Sequence, residues 1–141
     1  MRKKSLALLI LLGFLLACGG ASRKYLIILQ AGTESHEGMA RAVHALLYAT
    51  ELKEAGYEVT LIFDGAGTEW AKALLDPENK LHDAYVKLQG LGVTEIICDF
   101  CSRAFRVQED LQKGKVPLVA EFQGHPSLVK WIKKGYLPIV L

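Results

Sequence analysis

The chain is poor in cysteine, with three in 141 residues, and it has no second CxxC beside Cys98-Asp99-Phe100-Cys101. Its four histidines, His36, His44, His82 and His125, are scattered along the sequence. A structural zinc site needs four ligands at close spacing, so the sequence argues against one and no metal is expected. Ser102 stands where a c-type haem attachment needs histidine, which excludes that cofactor. No other cofactor is expected. An excess of one charge is also missing. There are 17 Lys+Arg against 15 Asp+Glu, and without Arg2, Lys3 and Lys4 the balance is 14 against 15. No basic stripe interleaved with aromatics occurs, so nucleic acid is excluded as a partner class. The longest apolar run, Ser5 to Ala17, falls short of the about 20 residues a membrane span needs. Internal repeats and low-complexity segments are absent.

What is present begins with a sorting signal. Met1-Arg2-Lys3-Lys4 is a positive start, and Ser5 to Ala17 is the apolar stretch of an export signal. It runs into Leu15-Leu16-Ala17-Cys18-Gly19, which resembles a bacterial lipobox, although Leu16 is an unusual residue for its position. The expectation is cleavage before Cys18 and lipidation of that cysteine. An uncleaved anchor or an ordinary secretory signal are the alternatives. Each places the rest of the chain in the cell envelope, on the extracytoplasmic side of a membrane. Residues 1–17 are then the signal, 18–24 a tether and 25–141 one domain. With Cys18 lipidated, only the CxxC pair is left, and an oxidising compartment would let it close as a disulfide.

The domain alternates strands and helices. Tyr25 to Gln30 is a continuous apolar run, the mark of a strand covered on both faces. A long helix is expected over His36 to Ala55, capped by Ser35 or Thr33 and stopped at Gly56, with Met39, Val43, Leu46, Leu47 and Leu52 facing inward. Tyr57 to Phe63 and Val93 to Cys98 read as the second and third strands. Helices are expected over 69–75, 79–89 and 101–112. A fourth strand over 117–122, a helix opened by Pro126 and a last strand from Tyr136 complete the pattern. Such alternation predicts an α/β fold with a mostly parallel sheet between two helical layers. Ligand chemistry in these folds sits at the C-terminal ends of the strands. That edge collects Glu34, Ser35 and His36, then Asp64 to Thr68, Cys98 and Cys101, and finally Gln123 to His125.

Asp64-Gly65-Ala66-Gly67-Thr68 is half of a dinucleotide fingerprint, but Trp70 stands at the third glycine and the motif follows the second strand. It reads as a tight turn. Cys98 and Cys101 admit a thioredoxin-like dithiol, a single nucleophile at Cys98 with Cys101 as resolving thiol, or an inert buried pair. A helix start would favour the thiolate of Cys98, whereas Asp99 would oppose it unless it points away. His125 would come close to Cys98 if the third and fourth strands are neighbours, where an imidazole serves as proton acceptor. Asp64 and His36 are further candidates at the same edge.

Several stretches carry a family resemblance. They are Tyr25 to Gly32, Ala42 to Ala49, Glu51 to Gly65, Leu91 to Cys98, and Gly135 to Val140. The chain resembles the DsrE/DsrF-like family over about residues 24 to 141. The resemblance implies a five-stranded three-layer α/β/α sandwich that assembles as a homo-oligomer, often a trimer or hexamer. It implies that the cysteine ending the third strand carries persulfide sulfur between partner proteins. Cys98 matches that position and Cys101 has no counterpart there. Sulfur-relay relatives work in the cytoplasm, so an exported chain would need a different donor and acceptor. The expected function is a sulfur carrier or thiol-active protein working through Cys98. The alternative is a non-catalytic oligomeric module whose cysteines are structural.

Overall fold

Five apolar strands meet in one parallel sheet, and that sheet organises the molecule. A computed structural model describes residues 23–141. The export signal and Cys18 lie outside the described residues. Among those described, no helix is long and apolar enough to cross a membrane. The strands are β1 (Lys24–Leu29), β2 (Glu58–Phe63), β3 (Thr94–Cys98), β4 (Leu118–Val119) and β5 (Tyr136–Val140), in spatial order β4-β3-β2-β1-β5. All neighbours are parallel. The helices are α1 (His36–Glu54), α2 (Thr68–Ala73), α3 (His82–Gly90), α4 (Asp99–Ala104), α5 (Gln108–Lys113) and α6 (Leu128–Lys133).

The two faces of the sheet are covered unequally. Ile27, Leu29, Leu61, Phe63 and Ile97 pack under α1, α2, α3 and α5 in the main core. Leu26, Ile28, Ile62 and Ile96 face the other way and are covered chiefly by Trp131 of α6 and Tyr136. A six-residue helix cannot cover a five-stranded sheet, and apolar residues around it stay exposed.

Three elements differ from the sequence reading. First, α1 buries Ala42, Ala45, Leu46 and Ala49, while Met39 and Leu47 are exposed. Small side chains let the helix lie close on the sheet, and the larger ones then project past the contact. Ser35 caps it by accepting from the Gly38 N–H at 2.9 Å. Second, the expected single helix over 101–112 is two. Arg106 takes a left-handed φ of 58°, which turns buried Val107 and Leu111 into the core. No glycine or proline marks this break. Third, β4 has two residues instead of six. After it the chain folds into a tight turn, in which His125 N–H donates to Phe122 O and Phe122 N–H to His125 O. That turn matters for the site.

One half-buried pair gives a pH signature. Tyr85 donates to Glu95 Oε2 at 2.5 Å beside the main core. Burial raises the Glu95 carboxyl above its ordinary value, against the lowering effect of the hydrogen bonds from Tyr85 and Gln89. A carboxyl raised in the folded state contributes its stability fully at low pH and loses it as pH rises through the folded value. Glu95→Gln is therefore expected to melt like wild type below about pH 4 and to be more stable than wild type at pH 8. Thermal melts across that range check it; an equal or lower stability at pH 8 would contradict the burial argument.

Candidate functional site

The third strand ends on Cys98, and the same residue caps α4. Its Sγ accepts from the Cys101 N–H at 3.4 Å, so the first turn of α4 holds both sulfurs together. Asp64 directly follows the neighbouring strand β2 and precedes the 3-10 turn Gly65–Gly67. Its Oδ2 accepts from Gln30 Nε2 at 3.0 Å, and its Oδ1 accepts from Cys101 Sγ at 3.3 Å. His125 arrives from the other side, on the turn after β4. Its Nδ1 lies 3.2 Å from Cys98 Sγ and 3.7 Å from Cys101 Sγ. The donor atoms of Asp64, Cys98, Cys101 and His125 all lie within 4.8 Å of one another.

The turn that delivers His125 is fixed from two directions. Phe100 N–H donates to Gly124 O at 3.0 Å, and the Phe100 ring packs against the imidazole at 4.7 Å between centroids. Gly124 needs to be glycine: its φ is +87°, and a Cβ would sit 3.2 Å from Phe100 Cβ. Both thiols are buried, Cys98 wholly. Asp64 and His125 are half-buried and line a cleft of about 200 Å³ with Ile28, Gln30, Ile62, Pro126, Leu128 and Val140. The residues that touch the thiols are thus also those that meet the cleft.

The electrostatics correct the idea of an easy thiolate. Burial pushes the Cys98 thiol well up, and only the Cys101 N–H bond clearly opposes it. The nearby Cys101 and Asp64 push the same way as burial. Burial also raises Cys101, against the hydrogen bonds from Cys98 and the Gly65 N–H. A six-residue helix start is too weak to reverse that. For Asp64, burial works to raise the carboxyl, but hydrogen bonds from Gln30, both thiols and the Gly65 N–H outweigh it and hold it below its ordinary range. Asp99 is not the opposing charge. It points away, accepting from Gln108 Nε2 at 2.7 Å and pairing with Arg103 at 2.9 Å.

The fold therefore brings Cys98, Cys101, Asp64 and His125 together and leaves His36 out. His36 is exposed at the start of α1 and borders a separate hollow with Thr33, Met39 and Lys80. Gln30 and Phe100 were not legible as site residues, and Gly124 was placed at this edge without a role. Gln30 left one clue, a polar residue ending an apolar strand run.

A parallel α/β sandwich with a dithiol at the strand ends defines the class. The model of the DsrE/DsrF-like family matches residues 23–141, and the chain belongs to that family. Membership points to sulfur- or thiol-related chemistry in general. An uncharacterized protein of Methanocaldococcus jannaschii is 36% identical over 108 residues, covering 77% of this chain and 86% of the relative. A conserved protein of unknown function from Bacteroides thetaiotaomicron has a solved structure with a TM-score of 0.58, at 18% identity over 84% of this chain and 94% of its own. At that identity the likeness concerns the fold alone.

Proposed function

We propose that the protein is a sulfur carrier of the cell envelope that holds persulfide sulfur on Cys98. The observation that carries this reading is the His125 Nδ1 atom 3.2 Å from Cys98 Sγ. A buried thiol is a poor nucleophile until it is deprotonated, and an imidazole in contact is the group that takes the proton. The thiolate then attacks a terminal sulfur of a polysulfide. One S–S bond forms, one breaks, and the polysulfide leaves one sulfur shorter. The product is a Cys98 persulfide. Transfer is the reverse step onto an acceptor thiolate. If Cys101 attacks the inner sulfur instead, hydrogen sulfide leaves and a Cys98–Cys101 disulfide remains. No outside oxidant is needed for either step. The cleft lined by Asp64 and His125 is the approach route.

The test is incubation of the reduced chain with polysulfide, followed by intact mass measurement. One added sulfur on the wild type supports the carrier, and an unchanged mass removes it. The envelope location rests on the export signal expected at the N-terminus; fractionation of expressing cells checks it, and a protein recovered wholly in the cytosol would contradict it.

The same reading includes a homo-oligomer, trimer or hexamer. Leu128, Val129, Ile132, Leu137 and Val140 are 48 to 61% exposed around the thinly covered face of the sheet. Grouped apolar exposure of this kind marks an interface. Val129→Lys with Leu137→Lys is expected to convert the assembly to monomers in sedimentation velocity, with the melting point little changed. A wild type that sediments as a monomer would sink the proposal.

A further inference from the structure

We infer that Asp64, Cys98, Cys101 and His125 form a binding site for one Zn(II) ion. The sequence argued against zinc because no second pair of ligands stands near the CxxC. Tertiary structure supplies that pair. Asp64 comes from the end of β2 and His125 from the turn after β4, on different sides of the cysteines.

The distances suit the ion. Zinc bonds of about 2.0–2.3 Å to nitrogen, oxygen and sulfur put the edges of a tetrahedron at about 3.3–3.8 Å. Here the ligand atoms are separated by 3.2 Å for Cys98 Sγ and His125 Nδ1, and by 3.3 Å for Cys101 Sγ and Asp64 Oδ1. The Cys101 Sγ to His125 Nδ1 separation is 3.7 Å, and no pair exceeds 4.8 Å. Closing the widest pair needs about 1 Å of movement, within reach of a rotamer adjustment. The donor set also selects the metal. Two sulfurs, one imidazole nitrogen and one carboxylate oxygen suit a tetrahedral borderline ion, and they do not suit calcium or magnesium, which take oxygen ligands.

The surroundings hold the ligands in place. Gln30 occupies Asp64 Oδ2 and leaves Oδ1 turned toward the sulfurs. The Phe100 ring lies against the imidazole and keeps Nδ1 facing the thiols. Losing an orienting partner of this kind typically weakens metal affinity by about 10- to 100-fold. Zinc would also resolve an arrangement that is otherwise unfavourable, a carboxylate pressed against two buried thiols. On binding, the two thiols lose their protons to solvent. The ion's two positive charges then meet two thiolates and one carboxylate, for a net charge of −1 at the site.

Zinc binding does not depend on the carrier reading, but it uses the same sulfurs. A thiolate bound to zinc is not free to attack polysulfide, so zinc occupancy and sulfur loading exclude one another.

The experiment uses the full chain, purified anaerobically in mild detergent and kept reduced with a phosphine. Zinc is titrated against a chromophoric chelator, and cobalt(II) is used as a spectroscopic stand-in. One equivalent of zinc is expected, together with thiolate-to-cobalt charge-transfer bands and the intense visible bands of a tetrahedral ion. Asp64→Asn and His125→Ala should each weaken binding by about 100-fold or more, beyond the effect of losing an orienting partner. Cys98→Ala should abolish the charge-transfer bands' full intensity and stoichiometric binding. Circular dichroism establishes that each variant is folded, and Asp64→Asn, at a half-exposed position, keeps the test valid if a cysteine variant is not. No binding by the wild type, six-coordinate cobalt bands, or unchanged affinity in Asp64→Asn and His125→Ala would overturn the site. Polysulfide loading is measured separately on the metal-free chain. Loading without zinc binding sinks this inference alone; zinc binding without loading sinks the carrier alone.

Discussion

Cys98→Ala is expected to abolish sulfur uptake from polysulfide, whereas Cys101→Ala should take up one sulfur and hold it longer than wild type. The asymmetry follows from position. Cys98 Sγ has the imidazole at 3.2 Å and receives the Cys101 N–H, which steadies the thiolate once it forms. Cys101 Sγ instead faces the Asp64 carboxylate at 3.3 Å, where a second negative charge is disfavoured. Removing Cys101 takes away the thiol that would release hydrogen sulfide and close the disulfide. His125→Ala should slow loading by about 100-fold, the usual worth of a positioned proton acceptor. Alanine replaces the buried thiol with little change in volume, so Cys98→Ala should cost only about 1 kcal/mol. Time-resolved intact mass and a thermal melt decide the matter. If Cys98→Ala loads like wild type, the carrier reading fails. If loading is absent throughout and Cys98→Ala melts far below wild type, the thiols are structural, which is the reading their burial and suppressed ionisation favour.

Gly67→Ala should be, with Gly38→Ala, among the most damaging glycine-to-alanine changes in the described residues. A Cβ at Gly67 would lie 1.9 Å from Leu29 O, 2.7 Å from Leu29 C and 3.3 Å from Gln30 N. These are backbone atoms at the end of β1, and no side-chain rotation relieves the overlap. Leu29 O also accepts from the Asp64 N–H at 3.0 Å, so any retreat opens the β1–β2 junction and displaces Asp64 and Gln30 together. The expected cost is about 3 kcal/mol or more, at the upper end for overpacking. For a domain of this size that lowers the melting point by about 10 °C or more. Gly90→Ala is the control. It ends α3 with nothing within 4 Å of the added methyl, and should be neutral or stabilising by up to about 1 kcal/mol. A Gly67→Ala protein melting within about 2 °C of wild type would show that the close approach is not a constraint.

Much of the architecture was legible in the chain. Apolar runs at Tyr25 to Leu29, Val59 to Phe63 (broken only by Thr60) and Ile96 to Cys98 read as strands covered on both sides, and the helices between them favour parallel pairing. Helix interiors were less legible. The stripe chosen for α1 followed large apolar residues, but the sheet selected its alanines, because contact distance favours small side chains there. The break at Arg106 carries no local signal, since it arises from the core's demand for Val107 and Leu111.

For the site, sequence alone determined the sulfur pair, its place at a strand end, and the absence of any second motif. These are local properties, set by residue type, spacing and hydrophobic period. Which residues stand opposite the sulfurs was decided only by tertiary structure. Strand order puts β2 and β4 on either side of β3, and that order carries Asp64 and His125 to Cys98 and Cys101 across 34 and 27 positions of chain. The same order leaves His36, which is no further from the edge in sequence terms, on a different hollow. Proximity along the chain says nothing about such meetings, because they depend on how strands pair. The ionisation of Cys98 has the same origin: a helix start promises a thiolate locally, but burial and a carboxylate brought in by the fold outweigh it.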